Sequence, residues 1–361
     1  MNVAIIGMGV SGLSCAYRLN QLGVRPTMFE RKSIVGESIN LFGIHLNCFN
    51  NISKNPLRFL EKKYGLSIKP LSSIREINMR AGKKEVNIKG RLGYIFKRGA
   101  ERTSLERQLY DQIDADIYLD AYIIDTHLDE IRKRFDYVII ATGETDIPDF
   151  LGIWHEASVK QIRSGIMDGN YNTERVILWL NREYADKAYI YLVPASQNRA
   201  AITMTVSDIT PNELDYYWKR MLIAENISNN ILETWDFEFH SGTIKTNQFG
   251  NLFFIGNAGG MTDDFMGFGI MNGISGGIIA AESIVQGKNF EKGIITILRQ
   301  TKDLHCLRML FDKMDNRTLH AMTTVLGLPG IRHAVYNYQL LHIQKLGRMA
   351  GAIIKNRKNR L

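Results

Sequence analysis

Residues 1–32 constrain the fold more than any other part of the chain. An apolar run, Val3–Ile6, leads into Gly7-x-Gly9-x-x-Gly12; Leu13, Ala16, Tyr17 and Leu19 follow at helical spacing, and a second apolar segment ends in Glu30. Strand, glycine turn, helix, strand and acid, in that order, make the dinucleotide fingerprint together with its flanking elements. Gly7 permits the tight turn, Gly9 lets backbone approach a pyrophosphate, and Gly12 lets the helix lie close to the strand. The pyrophosphate is expected on the free N–H groups of Val10 and Ser11, at the positive end of the helix. Glu30, with Arg31 beside it, is expected at the adenosine ribose, where its charge disfavours a 2′-phosphate.

A chain of 361 residues is long enough for two or three domains and a sizeable core. Its hydrophobic fraction of 45% and charged fraction of 23% are those of a soluble globular protein. Because the fold starts at residue 2, no cleavable leader is expected. The most apolar stretch, 269–285, is interrupted by Asn272, Glu282 and several glycines, so a bilayer span is not expected and the cytoplasm is the expected address. Cys15, Cys48 and Cys306 have no short pair spacing, which argues against a zinc site or a disulfide framework; no metal is expected. The net charge of +8 is unevenly placed. After Asp315 there is no acid, only Arg317, Arg332, Lys345, Arg348, Lys355, Arg357, Lys358 and Arg360, and the remainder is neutral. Basic and aromatic residues do not form a stripe over a sheet or recognition helix, so nucleic acid is not an expected partner.

Two more strand-then-glycine units follow. Phe135–Gly143 holds four apolar residues in a row, as suits a parallel strand buried on both faces, and Asn251–Gly260 precedes Gly267-x-Gly269 and a small-residue helix at 272–285. Three such signals far apart predict one sheet whose strands are separated by insertions. Residues 174–206 carry β-rich runs parted by polar turns and read as an antiparallel sheet in a second domain; 210–232 and 291–361 read as helical.

In this order of motifs the chain resembles FAD-dependent oxidoreductases of the para-hydroxybenzoate-hydroxylase fold, and within them the geranylgeranyl reductase family. After the N-terminal glycines and Glu30 comes Gly93–Arg98 with Leu105 and Leu109, which looks like the family's segment placing an arginine, here Arg98, near the flavin. Tyr189-Ile-Tyr191-Leu-Val193-Pro194 approximates the reductases' Tyr-x-Trp-x-Phe-Pro cavity motif. Gly256-Asn257-Ala258-Gly259-Gly260, ahead of Gly267-Phe268-Gly269-Ile270, is similar to the family's Gly-Asp-Ala-Ala-Gly and Gly-Glu-Gly-Ile. The resemblance covers roughly residues 1–290. It implies an α/β protein: a Rossmann-type FAD-binding domain (1–45, 93–150 and 240–290), an inserted antiparallel β-sheet substrate domain (46–92 and 151–239) and a C-terminal helical basic segment (291–361).

The sequence departs from the family at three places. Thr142-Gly143 replaces Asp-Gly after the central strand, and Asn257 replaces an aspartate that binds a ribityl hydroxyl of FAD; Asn can accept that bond through its carbonyl. Asp264 stands where relatives carry a proline beside the isoalloxazine ring. Two readings compete for it: a proton donor, which requires burial to raise its pKa, or a cap, with Asp263, on the following turn. His45 and Cys48 are further candidates for handling a proton, with a structural role as the alternative. Gly259 and Gly260 are read as opening a helix whose positive end faces the flavin pyrimidine edge. Tyr189, Tyr191, Pro194, Met261, Phe265, Met266 and Phe268 are candidates for lining an apolar cavity, or for core packing.

At the C terminus Ile331, Val335, Tyr338, His342, Leu346, Met349 and Ile353 project to one face of a helix and His333, Gln344, Arg348 and Lys355 to the other. Such a helix can lie on an anionic membrane surface, steer an acidic electron-donor protein, or simply cover the domain. Only one dinucleotide fingerprint is present, so the expected function is an FAD-dependent reductase served by an external donor, passing hydride from flavin N5 to a carbon–carbon double bond of an apolar, isoprenoid-like substrate. The alternatives are an FAD monooxygenase using NAD(P)H and oxygen, and a nucleotide-binding scaffold that has lost redox chemistry, motivated by Asn257 and Thr142.

Overall fold

The computed structural model describes residues 1–49, 53, 55–184, 186–227 and 231–337. In chain order the strands are β1 (Val3–Ile6), β2 (Thr27–Phe29), β3 (Leu41–Leu46), β4 (Ser72–Ala81), β5 (Lys84–Arg98), β6 (Asp116–Tyr118), β7 (Tyr137–Ile140), β8 (Trp154–Asp168), β9 (Arg175–Trp179), β10 (Tyr189–Pro194), β11 (Arg199–Ser207), β12 (Ile231–Ile244), β13 (Gln248–Phe249) and β14 (Leu252–Phe254). The helices are α1 (Val10–Gln21), α2 (Pro56–Tyr64), α3 (Leu105–Tyr110), α4 (Asp125–Arg134), α5 (Asp146–Phe150), α6 (Pro211–Ala224), α7 (Ile270–Gln286), α8 (Phe290–Phe311), α9 (Asn316–Gly327) and α10 (Pro329–Arg332).

The continuous apolar runs become adjacent strands of one sheet. It is ordered β13-β14-β7-β1-β2-β6 and parallel except at β13–β14, so the three strand-then-glycine segments lie side by side. All four residues of β1 are buried, as expected of a parallel strand covered on both faces. Helices α1 and α7 pack together on one face, where glycine lets their backbones meet: a Cβ on Gly277 would lie 2.3 Å from the Ser11 carbonyl oxygen.

The second sheet has eight strands, ordered β12-β8-β11-β10-β9-β4-β5-β3, with β4–β9 its parallel pair. It contains the β-rich runs at 174–206, but it reaches further than the sequence suggested. Boundaries at 45/46, 92/93 and 239/240 would each cut a hydrogen-bonded strand (β3, β5 and β12), so sheet membership moves these segments to the larger sheet. The helix expected over 210–232 stops at Ala224, and β12 begins at Ile231. There Trp235, Phe237 and Phe239 alternate with charged residues, which is a strand period. Helices α8 and α9 pack on the large sheet through Leu304, Phe311 and Leu319. Of the C-terminal amphipathic helix, Val335 packs inward and His333 is exposed; Tyr338, His342, Gln344, Leu346, Arg348, Met349, Ile353 and Lys355 lie outside the described residues. Among the described residues no helix is long and apolar enough to cross a membrane, and no cluster of His, Cys, Asp and Glu could hold a metal ion.

Candidate functional site

One cavity of about 1080 Å³ runs from the glycine turn after β1 to a face of the eight-stranded sheet. At the Rossmann end its wall is backbone. Gly7 has φ +100°, and a Cβ there would sit 2.4 Å from the Ala141 carbonyl oxygen; a Cβ on Gly12 would sit 2.1 Å from that of Gly7. Both glycines are therefore demanded by close approach of the α1 turn to β1 and β7. Gly9 is the N-cap of α1 and carries no side-chain cap, and a Cβ on it would meet nothing within 4 Å. Gly9, Val10 and Ser11 line the cavity, so the α1 terminus offers N–H groups and a positive dipole end to an anion.

Glu30, buried at the tip of β2, accepts hydrogen bonds from the Met8 N–H (2.9 Å) and the Lys32 N–H (3.1 Å). Each carboxylate oxygen keeps a lone pair for another donor. Arg31 reaches across the mouth to Glu144 at 2.7 Å, an exposed pair of small energetic weight. Thr142 and Gly143 line the opposite side. Asn257, on the turn Gly256–Gly259, donates both amide hydrogens, one to the Gly143 carbonyl and one to that of His240, each at 3.0 Å. Its buried Oδ1 accepts nothing among the described residues. Two facing carbonyls explain why an amide stands here, since a carboxylate could not donate to them, and the orphaned oxygen keeps its capacity to accept a hydrogen bond.

Gly269 caps α7 without a side-chain cap, and Gly269 and Ile270 line the cavity, so α7 presents its positive end there. This corrects the reading of Gly259 and Gly260. They belong to a short turn, and the helix opens at Ile270, because Asp263 and its neighbours form a loop between. Arg98 also lines the cavity and is ion-paired with buried Glu106.

The far wall is one face of the large sheet: Phe42, Ile44 and Leu46 of β3, Ile77, Val176, Leu178, Tyr189, Tyr191, Ile162 and Lys160, with Met266 and Phe268 opposite. Tyr189 and Tyr191 are thus brought to the cavity with Phe268. Pro194 and Phe265 are not. Pro194 pairs with Ala200 at the end of β10, and Phe265 packs on Phe49 and Phe311.

Strand alternation also removes His45 from the cavity, since Ile44 and Leu46 point in and His45 points away. Burial with no partner for Nε2 pulls its pKa down to about 4, so it is a neutral core residue. Cys48 is likewise away from the cavity, and burial pushes its thiol up to about 12, leaving no thiolate for chemistry. His45 dictates a pH dependence. The unfolded imidazole binds a proton below pH ~6.5 and the folded one only near 4, so its contribution to stability is full above 6.5 and is lost as pH falls between those values. Urea unfolding is expected to show about 2 kcal/mol less stability at pH 5 than at pH 7 from this residue, a difference that His45→Phe removes.

Asp264 does not cap the following turn; Asp263 does, accepting the Met266 N–H at 2.8 Å. Asp264 sits in a buried polar cluster. Lys160 Nζ donates to its Oδ1 (2.9 Å) and to its main-chain oxygen (2.6 Å), Ser158 and Ser241 donate to Oδ1, and His305 Nδ1 lies 2.9 Å from Oδ2. Burial pushes the Asp264 carboxyl up, but the contacts with His305, Lys160 and Ser158 outweigh it and hold the group below the usual carboxylate range. It is an anion and not lining the cavity, the opposite of what an acid at this position requires. Burial alone raises Asp263, to about 6. Lys160, His305 and the two serines were not singled out from the sequence. The available signal was a lysine in the inward register of β8, in step with Ile162, Ser164 and Ile166.

The family model of an NAD(P)-binding Rossmann-like domain matches residues 5–49. Among solved structures the chain is similar to a geranylgeranyl bacteriochlorophyll reductase-like protein from Thermoplasma acidophilum, with TM-score 0.73 and 13% identity over 97% of this chain and 98% of that one. A flavin-dependent brominase, Bmp2, matches with TM-score 0.67 and 10% identity over the whole of both chains. A flavoprotein/dehydrogenase from Cytophaga hutchinsonii matches with TM-score 0.63 and 13% identity over 97% of this chain and 98% of that one. At such identities it is the fold that is shared: this chain has the flavoprotein fold, a Rossmann-type dinucleotide-binding domain joined to a large, mainly antiparallel sheet.

Proposed function

We propose that this protein is an FAD-dependent reductase acting on a carbon–carbon double bond of an apolar substrate. The observation that carries the reading is a single cavity joining the dinucleotide cradle to an apolar sheet face. The residues fit FAD: uncapped helix termini at Gly9 and Gly269, Glu30 at the tip of β2, and the unpartnered Asn257 Oδ1. Bound flavin supplies hydride at N5. The chain's own part is positional. The α1 terminus and Glu30 hold the dinucleotide, and Asn257 accepts a hydroxyl hydrogen bond. The α7 terminus favours negative charge beside it, as a reduced flavin carries. Tyr189, Tyr191, Leu178 and Phe268 wall off water and hold an apolar chain, which suits the alkene reading better than a polar substrate. The reductase-like Thermoplasma structure, matched over nearly its full length, supports the same choice.

The test begins with the visible spectrum of the purified protein and identification of the released chromophore. An oxidised-flavin spectrum that releases FAD, followed by anaerobic reoxidation of the reduced protein by an isoprenoid alkene, is the expected result. Rapid oxygen-dependent NAD(P)H consumption would move the assignment to a monooxygenase. A colourless protein that takes up no added FAD would leave a scaffold.

A further inference from the structure

Among the apolar residues of the sheet wall stands a buried cation. Lys160 lines the cavity, yet its side chain is only 1% exposed. It spends two N–H donors on Asp264 and has no partner for the third among the described residues. Asp264 bridges it to His305 on α8, whose side chain is 39% exposed. The three groups thus link the cavity to the protein surface in two hydrogen-bond steps, each 2.9 Å long.

We propose that Lys160 is the proton donor of the cavity and that Asp264 and His305 keep it in exchange with solvent. The proposal rests on the reductase reading only for the identity of the proton acceptor. A structural tie explains the two distances, but it does not require the lysine to stand in the cavity wall or its partner to be shared with an exposed imidazole.

The cycle moves one proton and no electrons. The Lys160 ammonium gives a proton to the carbon or oxygen base formed on bound substrate and becomes a neutral amine. His305 takes up a proton from solvent at its other ring nitrogen, so the buried carboxylate again faces a cation. His305 Nδ1 then passes a proton to Oδ2. Rotation of the carboxyl about Cβ–Cγ turns that oxygen toward Lys160, the ammonium is restored, and exchange with solvent returns the His305 proton to Nδ1.

The charged groups facing Lys160 are Asp264 and Asp263 from the loop before α7 and Arg308 from α8, with the Phe239 ring of β12 at 5.5 Å. Burial lowers the lysine's pKa, Asp264 raises it again, and the net direction is down. Ser158 and Ser241 hold Asp264, and Arg308 follows His305 by one turn on α8.

The first test needs neither flavin nor substrate. Potassium cyanate labels free amines, so its rate at Lys160, mapped by mass spectrometry across pH 6–10, traces that amine's titration. In wild type Asp264 is shared between Lys160 and His305, so His305→Gln leaves Lys160 as the carboxylate's one ionisable partner in the relay and is expected to move the Lys160 midpoint up and slow its labelling at pH 8 roughly tenfold. The same midpoint in both proteins, or a Lys160 that never labels, would overturn the proposal. The second test is anaerobic reoxidation of the photoreduced holoprotein by an alkene. Lys160→Met is expected to slow it by about 100-fold or more, and His305→Gln by roughly tenfold with a larger solvent deuterium effect and rescue by imidazole. If no alkene reoxidises the wild-type protein while the labelling midpoint shifts, the reductase reading fails and the relay stands. If alkenes react and the midpoint does not move, the relay fails alone.

Discussion

Gly12→Val is expected to yield protein without bound flavin and with stability lowered by several kcal/mol, at or beyond the ~1–3 kcal/mol typical of overpacking. The smallest side chain would already place Cβ 2.1 Å from the Gly7 carbonyl oxygen, with Ile5 and Ala141 at 3.2 and 3.3 Å behind it. Those contacts are backbone and buried core, which cannot swing aside. The α1 terminus must therefore lift from β1, taking the N–H groups of Val10 and Ser11 away from the cavity. Flavin-to-protein stoichiometry by absorbance, with urea unfolding alongside, checks this. Full flavin occupancy in the variant would refute the placement of the pyrophosphate cradle.

Breaking the Lys160–Asp264 pair is the second large effect. Asp264→Leu leaves a buried ammonium without its carboxylate, and a loss of about 3–5 kcal/mol at pH 7 is expected. The double variant Lys160→Met with Asp264→Leu removes both charges and is expected to regain much of that loss, because two apolar groups of similar shape carry no desolvation penalty. Chemical denaturation of the four proteins gives the coupling. Equal losses in the single and double variants would show that the cost comes from the contacts with Ser158, Ser241 and His305. The acid limb carries the same signature. The Asp264 carboxyl lies lower folded than unfolded, so its contribution is present above the unfolded value of about 3.9 and is lost as pH falls through the folded one.

The fingerprint was legible because every role in it is local. Val3–Ile6, the three glycines, the helix and Glu30 lie within one strand–helix–strand unit, and each choice is enforced by sterics within that unit or by β7 next to it. The parallel strands β7 and β14 were legible for the same reason, as short apolar runs ending in glycine. Residue spacing misled where the element type changes the face. By sequence His45 and Cys48 are candidates for handling a proton, but the pleat of β3 turns His45 away from the cavity while Ile44 and Leu46 point in. Asn257, a departure from the family pattern by sequence, is an amide because two carbonyls face it.

By itself, then, the sequence determined the dinucleotide cradle, the parallel sheet and the existence of a second, β-rich layer, all of which follow from turn sterics and from apolar runs a few residues long. The tertiary structure alone decided which residues share the cavity and what charge they carry there. Lys160, Ser241, Asp264 and His305 come from β8, β12, the loop before α7 and α8, and the pairing of buried charges depends on neighbours that no local spacing encodes. The same Asp264 that would be an acid in an apolar pocket is an anion here, because three distant segments bring it a lysine, two hydroxyls and a histidine.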